Sequence, residues 1–243
     1  MKIAIIVQAR TNSSRLPGKI LKKILGYSIL ELMVERLRRV SYKTEIVIAT
    51  TINENDDPVV ELAKKIGVVH FRGSENDVLS RVYGAAKYVN ASVIVRCNSD
   101  CPLIDPDVIN QTIYEYLANN ELDYVSNILK PTFPTGLHTE VFSFSALEKA
   151  NENANKSSER EHVTPYIYHR PKQFKIKNIE LDRDLSGYRW TLDYPEDLKL
   201  IKLIYENLYE KNNKFLMKDI LELIEANPEW NKINSHIKKK STV

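Results

Sequence analysis

The chain has 243 residues, 43% of them hydrophobic and 28% charged, with a formal net charge of +3. That length suits one large single-core domain, and the composition is that of a globular protein rather than a disordered or fibrous one. The weak charge excess argues against nucleic acid as a partner, and no apolar stretch is long enough for a membrane span or a signal-peptide core.

The first half alternates strand and helix signals. "KIAIIVQA" is a continuous β-branched run of the kind buried on both faces of a parallel sheet. "SILELMVERLRRV" predicts a helix, with Ser28 and Glu31 as a capping box and Ile29, Met33, Leu37 and Val40 at helical spacing. "EIVIAT" predicts a second strand and "DPVVELAKKIG" a second helix, closed by Gly67. "VVHF" and "DVLSRVYGAAKYV" repeat the pair, and "SVIVRCN" predicts a fourth strand. Asp105 and Pro106 then cap and start a helix over "PDVINQTIYEYLAN". This order predicts a doubly wound, largely parallel α/β sheet, which binds ligands at the carboxyl ends of its strands.

The second half changes style. "DYVSN", "TEVFSF" and "QFKIKNIEL" predict short strands among the helices "SALEKANEN" and "SEREHVTPYIYHR", so a small antiparallel arm is expected within about 123–187. "GYRWTLD" predicts a return to strand, followed by the helices "PEDLKLIKLIYENLYE" and "MKDILELIEANPEW". The basic tail "HIKKKSTV" reads as a solvated end. No repeat or linker divides the chain, so residues 1–243 form one expected domain. Cys97 and Cys101 have no second pair, which argues for reduced thiols, a cytoplasmic setting and no zinc site.

Chemistry concentrates in "QARTNSSRLPGK", just after the first strand. Arg10, Arg15 and Lys19 stand among Ser, Thr, Asn, Pro and Gly, and three cations on one loop repel unless an anion lies between them. Neither G-x-G-x-x-G nor a Walker A pattern is present. The amides, guanidinium groups and ammonium suit an extended polyphosphate, the alternative being surface charges on a connecting loop. Asp100 follows the fourth strand and Asp193 the late one. If both strands lie near the sheet centre, the two carboxylates converge on the cationic loop, as a Mg2+–polyphosphate site requires. Alternatively, Asp100 is a turn residue before Pro102 and Asp193 caps the helix at Pro195.

Taken together, "VQARTNSSRLPGKIL", "RCNSDCPLIDPDVI" and "WTLDYPEDL" resemble the signature segments of the cytidylyltransferases, the family of the KDO (3-deoxy-manno-octulosonate) and acylneuraminate enzymes. "FRGSENDVLSRVYGAAK", "GLHTEVFSFSALEKA" and "EREHVTPYIY" extend the likeness toward the branch of spore coat polysaccharide biosynthesis protein F, as far as about Leu200. The resemblance implies a GT-A-like nucleotidyltransferase fold, CTP as donor, Mg2+ as cofactor and a sugar acceptor for surface polysaccharide biosynthesis. It implies that Arg10, Arg15 and Lys19 grip the triphosphate and that Asp100 and Asp193 bind metal, with Lys19, Arg10 and both acids as the catalytic set. Gln8 and Ala9 then begin the base pocket, and Arg72, Asn76 and Arg81 lie near the nucleotide. The Gly-Asp-Glu-Pro of the KDO enzymes is Ser99-Asp100-Cys101-Pro102 here, without the second acid.

His138, Glu140, Arg160, His162 and Arg189 are the candidate acceptor contacts, a polar set among aromatic residues. The same arm is the expected surface of a homodimer. Two other readings are a GT-A-type glycosyltransferase, which lacks its usual Asp-x-Asp pair here, and a non-catalytic nucleotide-binding protein, which gives no reason for so complete a set of cations and acids.

Overall fold

A computed structural model describes residues 1–237; the basic tail expected as a solvated end begins at His236 and lies outside the described residues from 238 onward. The β-branched runs form the sheet. In chain order the elements are β1 (Ile3–Gln8), β2 (Lys23–Ile24), β3 (Tyr27–Ser28), α1 (Ile29–Leu37), β4 (Thr44–Thr51), α2 (Asp57–Lys65), β5 (Val69–Gly73), α3 (Val78–Tyr88), β6 (Val93–Asn98) and α4 (Pro106–Leu117). The second half adds β7 (Tyr124–Ser126), β8 (Glu140–Ser143), α5 (Phe144–Asn153), α6 (Ser157–His162), α7 (Pro165–Tyr168), β9 (Ile176–Asn178), α8 (Pro195–Leu208) and α9 (Met217–Ala226).

The main sheet has seven strands in the order β5-β4-β1-β6-β8-β7-β9. β5, β4, β1 and β6 are parallel, and β8 joins β6 antiparallel. β7 pairs antiparallel with β8, and β9 closes the sheet parallel to β7. Alternation along the strands feeds two cores. Ala4, Ile6 and Ile94 pack with α3, α5 and α7 on one face. Ile3, Ile5, Val7, Val93, Val95 and Cys97 pack with α1, α2 and α4 on the other. The result is the expected doubly wound sheet, with helices on both faces and an antiparallel extension supplied by the second half.

Local predictions hold where the chemistry is local. Ser28 and Glu31 form the capping box of α1, Gly67 turns the chain after α2 at φ 66°, and Asp105 caps α4 by accepting from Asp107 N. Three expectations change. "SEREHVTPYIYHR" is not one helix: Val163 sits at φ 73°, ψ −59°, and Thr164 N donates to His162 O at 2.9 Å, a γ-turn that separates α6 from α7. Pro165 has no N–H to continue the α6 ladder and instead occupies the first turn of α7, so the helix breaks here. The two-residue strands β2 and β3, paired around Leu25 and Gly26, form a hairpin that the apolar pattern did not announce.

The third change concerns "GYRWTLD". Among the described residues it is extended but joins no sheet, and its one ladder contact is an isolated bridge between Thr135 and Arg189. It lies in a third core, where Trp190 and Leu192 pack with Leu16, Ile29, Leu103, Leu137 and the apolar faces of α8 and α9. This cluster buttresses the carboxyl end of the sheet, where β1 and β6 deliver their loops.

Candidate active site

The cationic loop leaves the carboxyl end of β1 and folds back on itself. Ser13 N and Gly18 N both donate to Thr11 O, at 2.9 and 3.0 Å. Gly18 takes φ 64°, a left-handed conformation that costs glycine little, and a single 3-10 turn over Lys19–Leu21 follows. Asp56, at the start of α2, anchors the loop. Its Oδ1 accepts from Thr11 N at 2.7 Å and Thr11 Oγ1 at 2.8 Å, while Oδ2 accepts from Thr51 Oγ1. Burial opposes the charge of Asp56, but the Thr51 and Thr11 hydrogen bonds outweigh it and hold its pKa below the usual aspartate value.

Asp100 reaches the same place from the end of β6. Asp193 arrives by way of the extended segment, which is bonded to the two chains beside it. Trp190 N donates to Thr135 O at 2.7 Å, and Leu192 N donates to Asp100 O at 2.7 Å. The approach is close. A Cβ on Gly136, which has φ 111°, would stand 2.6 Å from Trp190 C, so only glycine fits.

Lys19 closes the constellation. It lies outside the strands, as expected, yet it is only 8% exposed. Its Nζ donates to Asp100 Oδ2 at 2.8 Å, Asp193 Oδ1 at 2.9 Å and Leu192 O at 2.7 Å. These three acceptors use all three of its protons. Asp193 also accepts from Arg15 at 2.6 Å and from Arg189 at 3.2 Å. Burial of Lys19 works against its charge, but Asp100 and Asp193 outweigh it and raise its pKa. Burial likewise works against the Asp193 carboxylate, and Lys19, Arg15 and Arg189 together lower its pKa. Asp193 therefore does not cap α8. Asp197 does, accepting from Asp193 N and Tyr194 N at 2.9 and 3.0 Å.

A cleft of about 320 Å3 opens over this cluster, lined among others by Gln8, Ala9, Arg10, Arg15, Lys19, Arg81, Asp100, His162 and Asp193. The structure thus gathers nine of the candidate residues around one volume. Arg81 is 2% exposed; burial and the nearby Arg10 guanidinium lower its pKa to about 10. It supports the β5–α3 loop through the carbonyls of Ser74 and Glu75.

The remaining candidates stand apart from the cleft. Arg72 binds Asp57 at 2.6 Å and the carbonyls of Thr51 and Asn53, and Asn76 is exposed on the β5–α3 loop. Arg160 forms a two-pronged pair with Asp77 that ties α6 to α3. Arg189 is held by both oxygens of Asp197, at 2.9 and 3.0 Å, and so positions Asp193 instead of opening to the cleft. Glu140 is 4% exposed; Arg96 takes one of its oxygens, and Tyr124 and Thr164 take the other. His138 is half-buried just before β8.

Asp56 and Asp197 went unread in the sequence. Each contacts partners dozens of residues away or across a turn. The available signal for Asp197 was an acid in the first turn of a proline-started helix. Cys97 and Cys101 are free and buried, and burial pushes the Cys97 thiol up to about 12, so neither supplies a thiolate.

Among the described residues, no group of three or more His, Cys, Asp or Glu is placed to hold a metal ion. Two carboxylates do share one cation, the Lys19 ammonium. Two hard oxygens converging on one positive charge, with room for phosphate oxygens beside them, fit Mg2+, which is commonly bound by one or two carboxylates plus substrate phosphates.

A family model described as cytidylyltransferase matches residues 4–222, reaching beyond the Leu200 limit of the sequence resemblance. An uncharacterised protein of Methanocaldococcus jannaschii is 42% identical over 245 residues, covering 99% of this chain and 98% of that protein. The spore coat polysaccharide biosynthesis protein SpsF of Bacillus subtilis is 31% identical, covering 93% of this chain and 95% of its own. A solved cytidylyltransferase from Leptospira borgpetersenii serovar Hardjo-bovis superposes with a TM-score of 0.91 at 36% identity, over 98% of this chain and 99% of that one. The KDO-activating synthetase solved with CTP shares the fold, with a TM-score of 0.68 at 16% identity over 86% of this chain and 100% of its own. A matching family model over most of the length, carried by a fold that brings the matched loops to one cleft, places this chain in the cytidylyltransferase family of nucleotidyltransferases.

Proposed function

We propose that this enzyme transfers CMP from CTP to a sugar or sugar-like acceptor, releasing pyrophosphate, in surface polysaccharide biosynthesis. One observation carries the reading: Lys19 joins Asp100 and Asp193 at the floor of a cleft whose rim holds Arg10 and Arg15. A triphosphate is the ligand that needs cations along its length and carboxylates beside them. The family supports CTP as donor, and the relative in Bacillus subtilis supports the polysaccharide role.

In the reaction an acceptor oxygen attacks the α-phosphorus, its proton leaves to solvent, and the bond to the β-phosphate oxygen breaks to release pyrophosphate. Charge repulsion and positioning dominate this barrier. Arg10, Arg15 and Lys19 are arranged to neutralise the departing pyrophosphate, and Arg81 extends the positive lining. Arg15 and Lys19 already face one carboxylate, so a phosphate entering here exchanges one anion for another at little reorganisation cost. Asp100 and Asp193 are the residues that would hold Mg2+. Bound there, the ion would supply phosphate charge neutralisation and would acidify an acceptor hydroxyl. His162, exposed at the cleft rim on α6, is the candidate that stays available to an acceptor; Glu140 and Arg160 act through the positions they hold.

Two accompanying readings are proposals of the same kind. The buried free thiols fit a cytoplasmic enzyme. In the arm expected to carry a homodimer the tyrosines pack inward in part, Tyr124 being fully buried and Tyr166 7% exposed. The dimer rests instead on β9, an open edge of the sheet with the exposed Leu129 bonded to its Asn178. A monomeric mass by light scattering at micromolar concentration counts against it.

The function is tested by mixing the enzyme with Mg2+, each nucleoside triphosphate and a panel of sugar acids and sugar phosphates, and measuring pyrophosphate. CTP-dependent release with at least one acceptor is expected. Release only from a nucleotide sugar would favour a glycosyltransferase, and binding without release a nucleotide sensor.

A further inference from the structure

Asp100 and Asp193 meet at the cleft floor, but they are held there in different ways. Asp193 is fixed through its side chain by Arg15, Lys19 and Arg189. Among the described residues Asp100 pairs with Lys19 alone, with a long contact from Cys101 Sγ at 3.6 Å. An ion entering the site competes with that one ammonium, so the position of Asp100 then depends on its backbone.

That backbone is slung from behind. Alternate carbonyls along the loop 100–105 accept from different parts of the chain. Asp100 O accepts from Leu192 N at 2.7 Å and from Thr191 Oγ1 at 3.2 Å. Pro102 O accepts from Tyr205 Oη on α8 at 2.7 Å, and Ile104 O accepts from Arg36 Nε on α1 at 2.6 Å. Asp105 ends the loop, its Oδ1 capping α4 and its Oδ2 accepting from Met217 N at the start of α9. Cys101, Leu103 and Ile104 are buried between these points, and Asp100 is the part of the loop that lines the cleft.

Arg36 is a costly residue if packing is its whole role. It is 2% exposed, and its Nη1 and Nη2 are buried with no hydrogen-bond partner among the described residues. Its guanidinium lies 4.4 Å from the centre of the Phe215 ring. A charge buried this way is commonly less stable than an apolar side chain of similar volume. What the charge provides is a strong bond to one carbonyl, Ile104 O, firmer than a neutral donor would give. Tyr205, 1% exposed, holds Pro102 O through the single oxygen that distinguishes it from phenylalanine.

We propose that Arg36 and Tyr205 are positioning residues for the reaction, setting the Asp100 carboxylate where it and Asp193 can grip one divalent cation on the nucleotide. The inference rests on the metal role proposed above and adds the residues that hold its geometry. Neither side chain lines the cleft, so both act through the loop. The helical pair α8 and α9 thereby takes part in the chemistry, through Tyr205 and Met217 on the loop and Phe215 beneath Arg36.

The test is CTP affinity measured by calorimetry in Mg2+ and in EDTA, for wild type, Tyr205→Phe and Arg36→Met, with melting temperatures recorded. Binding in EDTA reads the cationic loop, and the ratio of the two affinities reads the carboxylates. Wild type is expected to bind CTP about tenfold or more tightly with Mg2+. Each variant should lower affinity in Mg2+ by about tenfold, the usual effect of losing a group that orients a metal ligand. Binding in EDTA should stay as in wild type, so the ratio falls toward one. A merely structural role predicts a loss that appears equally in both conditions, or in neither. Either pattern in a folded variant overturns the inference, and the nucleotide and metal readings then stand. Should Arg36→Met not fold, Tyr205→Phe decides alone, since it removes one atom. A wild type that binds CTP no better with Mg2+ than with EDTA overturns the metal role and this inference with it.

Discussion

Lys19 Nζ lies 2.9 Å from Asp193 Oδ1 although 174 positions separate the two residues. The contact joins the loop after β1 to the segment before α8 and makes one cluster of three charges with Asp100. Lys19 is therefore a structural pin in addition to its proposed role at the phosphates.

Lys19→Ala is expected to lower turnover by about two to three orders of magnitude, the usual loss for one preorganised charge contact. It also leaves two carboxylates facing each other without their shared cation. The unliganded protein should lose roughly 3 kcal/mol of stability by denaturant unfolding, and added Mg2+ should restore more of it than it adds to wild type. A variant with normal stability and normal turnover would remove Lys19 from both roles.

Asp100→Asn and Asp193→Asn separate the proposed metal role from packing. Each should cut turnover by about 100-fold or more and weaken the response to Mg2+. Asp193→Asn should also melt lower without ligand, because Arg15, Lys19 and Arg189 all face its carboxylate. Asp100 contacts one of those cations, so its variant should melt closer to wild type. The double variant should turn over little more slowly than the worse single, since the two acids act as a unit. Single-variant activity near wild type would remove that carboxylate from the essential set.

Asp56→Asn tests the loop anchor through pH. The folded pKa of Asp56 is below its ordinary value of 3.8. Its stabilising contribution is therefore fully present above that value and is lost as pH falls through the lower, folded one. At pH 7 the variant should be about 1–3 kcal/mol less stable than wild type, and the gap should close below about pH 4. CTP affinity should fall as well, because Thr11 no longer holds the loop. A gap independent of pH would show that the charge of Asp56 is not what anchors it.

Gly136→Ala tests the path to Asp193. The new Cβ would meet Trp190 and Thr191 backbone atoms at 2.6 to 2.8 Å, and neither chain can yield without shifting Asp193. A loss of roughly 2–4 kcal/mol and a matching fall in activity are expected. Gly18→Ala is the control. It shares a positive φ, but nothing lies within 4 Å of its added Cβ, so about 1 kcal/mol is expected from the backbone alone. Equal melting temperatures for the two variants would argue against the close approach.

What the sequence determined alone is what depends on near neighbours and on burial. The runs "KIAIIVQA", "EIVIAT" and "SVIVRCN" are apolar on both faces and had to lie inside a parallel sheet, whose carboxyl ends then placed Arg10 and Asp100 on one rim. Ser28 with Glu31, and Asp105 with Pro106, marked helix starts because caps act within three residues. The tertiary structure decided the rest. Asp193 comes to the site on a segment without sheet partners, because Trp190 and Leu192 fill a third core that no local pattern describes. Glu140 read as an acceptor contact in the sequence, and only the approach of Arg96, Tyr124 and Thr164 shows it as a buried anchor. Whether a charged side chain meets solvent, ligand or a distant partner depends on which chain segments pack beside it, and that is settled by the fold as a whole.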